Sequence, residues 1–239
     1  LDPNIRIALS RYGVDTDRFQ PGPEPEAGRE ESLVFTAYYR DEPNRDAVRW
    51  FTRAVWPRLR RLYPALKFYI VGAEPPPDIQ DLARRDPSIL VTGEVPDVAP
   101  YLARSRLYVC PMRMGTGFRG KILQAMAAGL PVVATSRAAE GFPVEPGHNI
   151  LLADTEHVMV ECISLLLTDR VLRRRLADRA RASRGRTLPA SPLIHGTAQW
   201  VTLATLISGG VVVTLPSSTF VASDLWDLAE REAVAQIVI

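Results

Sequence analysis

The chain contains 239 residues, enough for one large domain or two small ones, and its formal net charge of +2 does not support a nucleic-acid or anionic-membrane ligand. Hydrophobic residues make up 46% of the chain, so it can bury a core without disulfides. Cys110 and Cys162 lie far apart and in no metal-type spacing, which makes the reducing cytoplasm the expected compartment. The chain opens on Leu1 without a signal peptide, so the natural N-terminus is expected upstream.

Six short apolar runs, bounded by turn-forming residues, predict β-strands in the first two thirds of the chain. Their residues are apolar in succession rather than in alternation, which is typical of strands buried on both faces of a parallel sheet. The predicted strands are Leu33–Thr36, Phe68–Val71, Ile89–Val91, Leu107–Cys110, Val132–Ala134 and Ile150–Leu152.

Amphipathic segments separate these runs and predict helices between the strands. In the first of them Asn44 is expected to cap the helix, and Pro57 is expected either to bend it or to separate two turns. Such alternation predicts a doubly wound α/β domain, whose ligands bind at the carboxyl ends of the strands. Later helices are predicted around Leu82-Ala83, Val98–Leu102, Ile122–Ala128, Glu156–Leu167 and Val171–Ala182.

The charge density changes sharply near residue 184. Between Thr187 and Ser223 the chain carries no charged residue, whereas the preceding part is densely charged. This shift predicts two domains, at 1–184 and 185–239, joined by a linker at 183–189. The uncharged stretch at 201–215 is shorter than a membrane span and is interrupted by Gly209-Gly210, so a short helix followed by a buried strand is expected rather than a transmembrane helix.

A glycine-rich segment at 111–129 follows the fourth predicted strand and enters a helix. Gly115 and Gly117 let the backbone approach a ligand closely, and Arg119 and Lys121 place two cations at the start of the helix. Cations at a helix N-terminus oppose the helix dipole unless an anion compensates them, which favours a phosphate site. The alternative is a tight turn with two solvated cations.

The same segment resembles the signature of the group 1 glycosyltransferases, which have the GT-B fold and use nucleotide-activated sugar donors. The family pattern Gly-x-Gly-x-Arg-x-Lys-Ile-Leu-(acid)-Ala-Met-Ala-x-Gly-x-Pro-Val-Val-Ala-Thr is matched from Gly115 to Thr135, except at its acidic position. The resemblance covers nearly all of 1–184 and implies the Rossmann-like, donor-binding C-terminal half of a GT-B enzyme. Other segments match in order, at Gly13-Val14-Asp15, Pro43–Phe51, Ile70-Val71-Gly72, Thr92–Asp97 and Glu140-Gly141.

The resemblance implies a nucleoside-diphosphate sugar as the donor, with no metal or cofactor. It implies no catalytic residue in this chain, because the acceptor-side residue of the family lies in a preceding N-terminal domain, through which any membrane contact would also be made. The residues implied to bind the donor are Gly93 and Val95 near the base, Gly115, Thr116, Gly117, Phe118, Arg119 and Lys121 around the diphosphate, and Gln124 at the ribose.

Three positions depart from the family pattern. Thr116 and Gln124 stand where the family carries two acidic residues, and Gln124 replaces a charge-assisted ribose contact with a neutral amide. Ala37 stands where the first βα turn usually has glycine, and Tyr38 and Tyr39 make this turn bulkier.

Two other function classes compete with the enzyme as interpretations of the sequence. A dinucleotide oxidoreductase is excluded because the first strand is not followed by Gly-x-Gly-x-x-Gly. A non-catalytic binding module or an inert fragment remains a possible interpretation, since Gln124 and Ala37 weaken the donor-binding pattern.

His148 is expected to be a turn residue rather than a catalytic base.

Residues from about 188 to 239 resemble a different family, the AMP-forming acyl-CoA synthetases, around Pro192–Trp200 and the Gly209–Val213 strand. The phosphate loop of that family is absent, so its adenylating chemistry is not expected here. The terminal run Ile237–Ile239 predicts a strand. Two incomplete folds joined at a linker favour a fused reading frame over a purposeful two-domain protein.

Overall fold

The computed structural model describes residues 14–21, 29–115, 119–140 and 144–181, together with two short strands further along the chain. Contacts divide the chain into two units, Arg18–Ala182 and a second one formed by Leu1–Asp17 with Ser183–Ile239. The division is close to the predicted boundary at 184, and that boundary remains a prediction.

The first unit contains a six-stranded, fully parallel sheet with the order β3-β2-β1-β4-β5-β6. Each strand lies where a continuous apolar run predicts one, and Leu33, Val34 and Phe35 are all fully buried, as expected for strands covered on both faces. The predicted strand class and parallel pairing are therefore confirmed. The strands are β1 (Glu30–Thr36), β2 (Lys67–Val71), β3 (Ile89–Val91), β4 (Ser105–Cys110), β5 (Val132–Ala134) and β6 (Leu151–Leu152).

Helices connect the parallel strands, as the amphipathic segments predict. Right-handed crossovers place the helices between β1 and β3 on one face of the sheet and those between β3 and β5 on the other. The helices are α1 (Glu42–Trp50), α2 (Trp56–Leu62), α3 (Pro77–Arg85), α4 (Ala99–Arg104), α5 (Gly120–Ala127), α6 (Glu156–Thr168) and α7 (Arg170–Arg181).

The first helix widens into a π-helical segment just before Pro57, which separates α1 from α2. Residues Phe51–Val55 form a π-helical segment that joins α1 to α2 without a break. Proline has no N–H and its ring collides with the carbonyl group four residues earlier, and a wider turn accommodates both effects. Trp56 and Leu59 remain buried after the widened turn, so the helix still packs on the core.

The expectation that Asn44 caps the first helix is wrong. The helix begins at Glu42 after Asp41, and the side chain of Asp41 makes no capping hydrogen bond. Proline at the start of a helix is favourable because its missing N–H needs no partner there, so Pro43 marks a start earlier than Asn44. Asn44 lies inside the first turn and is buried, which leaves its amide for another role.

The strand order reverses between β1 and β4, and this reversal positions the site. From β1 the chain adds β2 and then β3 toward one edge of the sheet. It then crosses back to β4, which lies on the other side of β1, and continues outward through β5 to β6. The loops that leave the carboxyl ends of β1 and β4 consequently diverge to opposite faces of the sheet and leave a crevice between them, where ligands of such folds bind.

The second unit contains a parallel pair of short strands, β7 (Thr187–Pro189) and β8 (Gln236–Val238). The strand expected at the C-terminal run is therefore present. The helix and strand expected at 201–215, and the resemblance around Pro192–Trp200, fall outside the described residues. Among the helices that the structure describes, none is both long and apolar enough to cross a membrane.

Candidate functional site

Two loops face each other across the crevice between β1 and β4. The first, residues 37–41, leads from β1 to α1, and the second, residues 111–119, leads from β4 to α5. A bidentate ion pair joins the second loop to α1, because Arg113 donates to both carboxylate oxygens of Asp46 at 2.6 and 3.1 Å. The two halves of the sheet are thus tied together at the edge where a ligand would bind.

Lys121 lies in the first turn of α5 and points into this crevice. Its Nζ donates to Oδ1 of Asn44 at 2.7 Å and lies 4.8 Å from the centroid of the Phe35 ring. The pKa of Lys121 is lowered to about 8, mainly by burial and also by the positive charge of Arg119, whereas Cys110 and Asp41 act in the opposite direction. The protein therefore holds a lysine where its ammonium form is disfavoured, which is common at functional sites.

Arg119 directly precedes α5 and is only 8% exposed. The loop reaches it through Gly115, whose φ of +98° suits glycine. A Cβ atom at Gly115 would lie 2.9 Å from Nη2 of Arg119 and 3.2 Å from Cβ of Pro43, so a larger residue would displace the arginine or the start of α1. Thr116, Gly117 and Phe118, which are also predicted to bind the donor, lie outside the described residues.

Gln124 follows Lys121 by one helical turn on α5 and is half-buried. Residues three apart lie on the same face of a helix, so Gln124 and Lys121 share the side that faces the crevice. The opposite side of α5 packs on the core through Ile122, Ala125 and Met126.

The loop predicted to border the base leaves the carboxyl end of β3. Gly93 and Val95 are both half-buried in it, and Asp97 closes it by accepting from the backbone N–H of Ala99 at 2.9 Å and from Arg18 at 3.0 Å. This loop and α5 lie at the same edge of the sheet, and β3 and β4 are separated by three interstrand spacings, or roughly 14 Å. Among the residues that the structure describes, the predicted site thus forms two groups on one edge: Gly93 and Val95 after β3, and Gly115, Arg119, Lys121 and Gln124 around the start of α5.

The two tyrosines of the turn after β1, Tyr38 and Tyr39, do not both occupy the crevice. Tyr39 is fully buried in the core, with its ring edge-on to Phe35. Tyr38 is 42% exposed, and its hydroxyl donates to Glu74 at 2.8 Å. The two tyrosines that follow Ala37 therefore add one side chain to the core and one to the surface.

The histidines of the first unit lie in exposed positions away from α5. His148 is in a turn, as expected, and its Nδ1 lies 2.9 Å from Nη1 of Arg179. His157 lies on α6, with Nε2 3.2 Å from Glu161. In the part of the chain that the structure describes, no three His, Cys, Asp or Glu side chains cluster as metal ligands would.

Asn44 is the crevice residue that sequence reasoning missed. It precedes Ala47 and Val48 by three and four positions, so it lies on the buried face of α1. A polar residue on an apolar helix face needs a partner when buried, and this signal was available in the sequence.

Comparisons with known proteins agree with this architecture. The chain is similar to the C-terminal domain of a glycosyl transferase group 1 family protein (LpcC) from Francisella tularensis, with 18% identity and a TM-score of 0.56 over 71% of this chain and 95% of that one. It is similar to sucrose-phosphate synthase from Thermosynechococcus elongatus, with 20% identity and a TM-score of 0.59 over 73% and 46% of the two chains. It is also similar to Anabaena HepE in complex with UDP-glucose, with 15% identity and a TM-score of 0.60 over 95% and 57%.

These likenesses show the fold, and this chain spans about half the length of the two larger proteins. A search of the curated proteins finds no significant match. None of the comparisons supports the resemblance of residues 188–239 to acyl-CoA synthetases. The model of the family described as "Glycosyl transferases group 1" matches residues 30–169. That match covers more than half of the sequence and the whole sheet with its crevice, and the chain belongs to the group 1 glycosyltransferases.

Proposed function

We propose that this chain is the donor-binding half of a glycosyltransferase, which binds a nucleoside-diphosphate sugar for transfer of the glycosyl group to an acceptor hydroxyl. Family membership supports the reaction class. The complex of HepE with UDP-glucose, on a similar fold, supports a nucleotide sugar as the donor. The acceptor would be bound by an N-terminal domain of the GT-B pair, and residues 1–239 tested on their own are proposed to transfer no sugar.

The observation that carries this proposal is the pair of cations at the start of α5. Arg119 is buried and Lys121 is largely desolvated, and both lie at the positive end of a helix dipole. Burial and the helix dipole both disfavour a positive charge, so an anion bound here would stabilise the two cations. A diphosphate at the crevice between β1 and β4 supplies that anion.

The reaction would use these cations most when the sugar departs. Breaking the bond between the sugar and the diphosphate leaves additional negative charge on the phosphate oxygens, and fixed cations stabilise developing charge without reorganising. In this proposal Arg119, Lys121 and the backbone around Gly117 hold the diphosphate. Gln124 binds the ribose, and Gly93 and Val95 border the base.

A binding module without catalysis is the second candidate. Gln124 favours it, because a neutral amide holds the ribose less strongly than the carboxylate of the family pattern. In that case the crevice would bind nucleotide weakly and promote no transfer in the presence of an acceptor domain. Both cysteines are free, which fits the proposed cytoplasmic location of either candidate.

Calorimetric titration with uridine and guanosine diphosphates, compared with the nucleosides, tests the proposal. The diphosphates should bind more tightly, and Lys121→Ala should weaken them by about ten- to a hundredfold, because it removes a charge-assisted contact. Lys67→Ala is the matched control, since Lys67 is the only other lysine and lies at the amino end of β2 beside Glu30. Equal affinity for nucleoside and nucleoside diphosphate in all three proteins would refute the proposal.

A further inference from the structure

Both polar atoms of the Asn44 side-chain amide make hydrogen bonds within the crevice. Its Oδ1 accepts from Nζ of Lys121 at 2.7 Å, and its Nδ2 donates to the backbone carbonyl of Tyr38 at 2.7 Å. The residue is 6% exposed and lies on α1, whereas Lys121 lies on α5 across the crevice. One side chain therefore links the turn after β1 to the cation after β4.

Lys121 needs such a partner because its charge is carried on a flexible stem of four carbons. The groups around it are the Phe35 ring from β1, the thiol of Cys110 from β4, the guanidinium of Arg119 and the carboxylate of Asp41 before α1. The Cys110 thiol is neutral near pH 7, because burial raises its pKa to about 11. Asn44 is thus the neutral acceptor that fixes where the ammonium points.

The neutrality of the acceptor matters as much as its position. A carboxylate in place of Asn44 would hold Lys121 more strongly, but it would also cancel the charge that an incoming anion needs. An apolar residue would leave a half-buried ammonium without a hydrogen-bond acceptor on this side. An amide oxygen orients the cation and leaves its charge available.

We propose that Asn44 is a positioning residue, which orients the Lys121 ammonium toward the donor diphosphate and leaves its charge uncompensated. This inference rests on the proposed function for the identity of the anion. The hydrogen bond itself is a property of the free protein, so the two can be tested separately.

Lysine-selective isotope labelling provides the test, because the chain contains only two lysines and the spectrum should show two side-chain signals. In Asn44→Leu the pKa of Lys121 should fall, since the charged form loses its acceptor. In Asn44→Asp it should rise, since a carboxylate favours the ammonium. Shifts of opposite sign are not expected from a general loosening of the fold, and Lys67 serves as the internal reference.

Nucleotide affinity is the second readout. Both variants should bind uridine diphosphate about three- to tenfold more weakly than the wild type, one because Lys121 is no longer oriented and the other because its charge is compensated. Asn149→Ala is the matched control, since the Asn149 amide also bonds the backbone, at Glu145, but in the turn before β6. Melting curves identify any variant that fails to fold, and Asn44→Asp, which keeps the shape of the side chain, then carries the test.

The outcomes separate the two proposals. A Lys121 pKa that stays unchanged in both folded variants, or that shifts in the same direction in both, overturns the positioning role of Asn44. If the pKa values shift in opposite directions but the wild type binds no nucleoside diphosphate, Asn44 still orients Lys121 and the proposed function fails instead.

Discussion

A Cβ atom built on Gly72 would lie 1.8 Å from the carbonyl oxygen of Ala37, because the turn after β1 lies directly over the end of β2. The backbone N–H of Ala37 donates to the carbonyl of Val71 at 2.9 Å, which fixes this close approach. The φ of Gly72 is +135°, a value that other residues rarely adopt. Gly72 thus sets the path of the turn that carries α1 and Asn44 to the crevice.

Gly72→Ala should therefore destabilise the protein by at least about 2 kcal/mol, since both the collision and the backbone strain must be relieved. Gly147→Ala is the control, because Gly147 also has a positive φ, of +75°, but no heavy atom lies within 4 Å of the added methyl group. It should cost about 1 kcal/mol. Urea denaturation measures both, and equal losses in the two variants would show that the Ala37 contact is unimportant.

Donor binding should depend on pH through Lys121. The pKa of Lys121 in the folded protein is about 8, below its ordinary value of 10.5, and a bound diphosphate should raise it by favouring the ammonium. Binding near pH 8 should therefore take up a proton, and affinity should fall by up to about tenfold per pH unit above the free-state pKa. The Cys110 thiol does not titrate in this range, because burial raises its pKa to about 11.

Calorimetry at pH 8 in two buffers of different ionisation enthalpy measures this proton uptake, and Lys121→Met should abolish it. Proton release on binding, or uptake that persists in Lys121→Met, would contradict the assignment.

The depressed pKa of Lys121 also makes the stability of the fold depend on pH. The charged lysine is favoured in the unfolded chain, so its destabilising effect on folding is full below pH 8 and is lost as the pH rises from 8 through 10.5.

Gln124→Glu should strengthen recognition of the ribose if α5 binds the nucleotide as proposed. A carboxylate accepts the ribose hydroxyls in charge-assisted hydrogen bonds, roughly twice as strong as neutral ones, so preference for uridine diphosphate over its 2′-deoxy analogue should rise about fivefold. The ratio of the two affinities cancels the general repulsion between the new charge and the diphosphate. Gln20→Glu adds the same charge at an exposed position and should leave the ratio unchanged. An unchanged ratio in Gln124→Glu as well would remove Gln124 from the ribose site.

Limited proteolysis should cut first between Ser183 and Ser191. The charge density falls sharply there, and contacts place Arg18–Ala182 in a unit of its own. Mass spectrometry of the early fragments should recover a protected piece that ends near residue 184. Early cuts within 30–180, with no cut at 183–191, would contradict the predicted domain boundary.

Local pattern was sufficient to predict most of the fold. The continuous apolar runs Leu33–Thr36 and Leu107–Cys110 predict buried parallel strands, because a strand covered on both faces presents neither side to solvent. The glycines and cations at 115–121 predict a loop that binds a ligand. These signals lie within a few residues of one another, so they are readable without knowledge of the rest of the chain.

The partner of Lys121 was decided only by the tertiary structure. Asn44 and Lys121 are separated by 77 residues, and they meet because the strand order places β1 beside β4. The sequence predicts Asn44 as a helix cap, since asparagine is favoured at that position, whereas the helix begins at Glu42 after Asp41. The sequence by itself determined which elements form and which loop carries cations. Only the packed sheet determined which neutral side chain orients one of those cations, because that depends on which carboxyl ends lie next to each other.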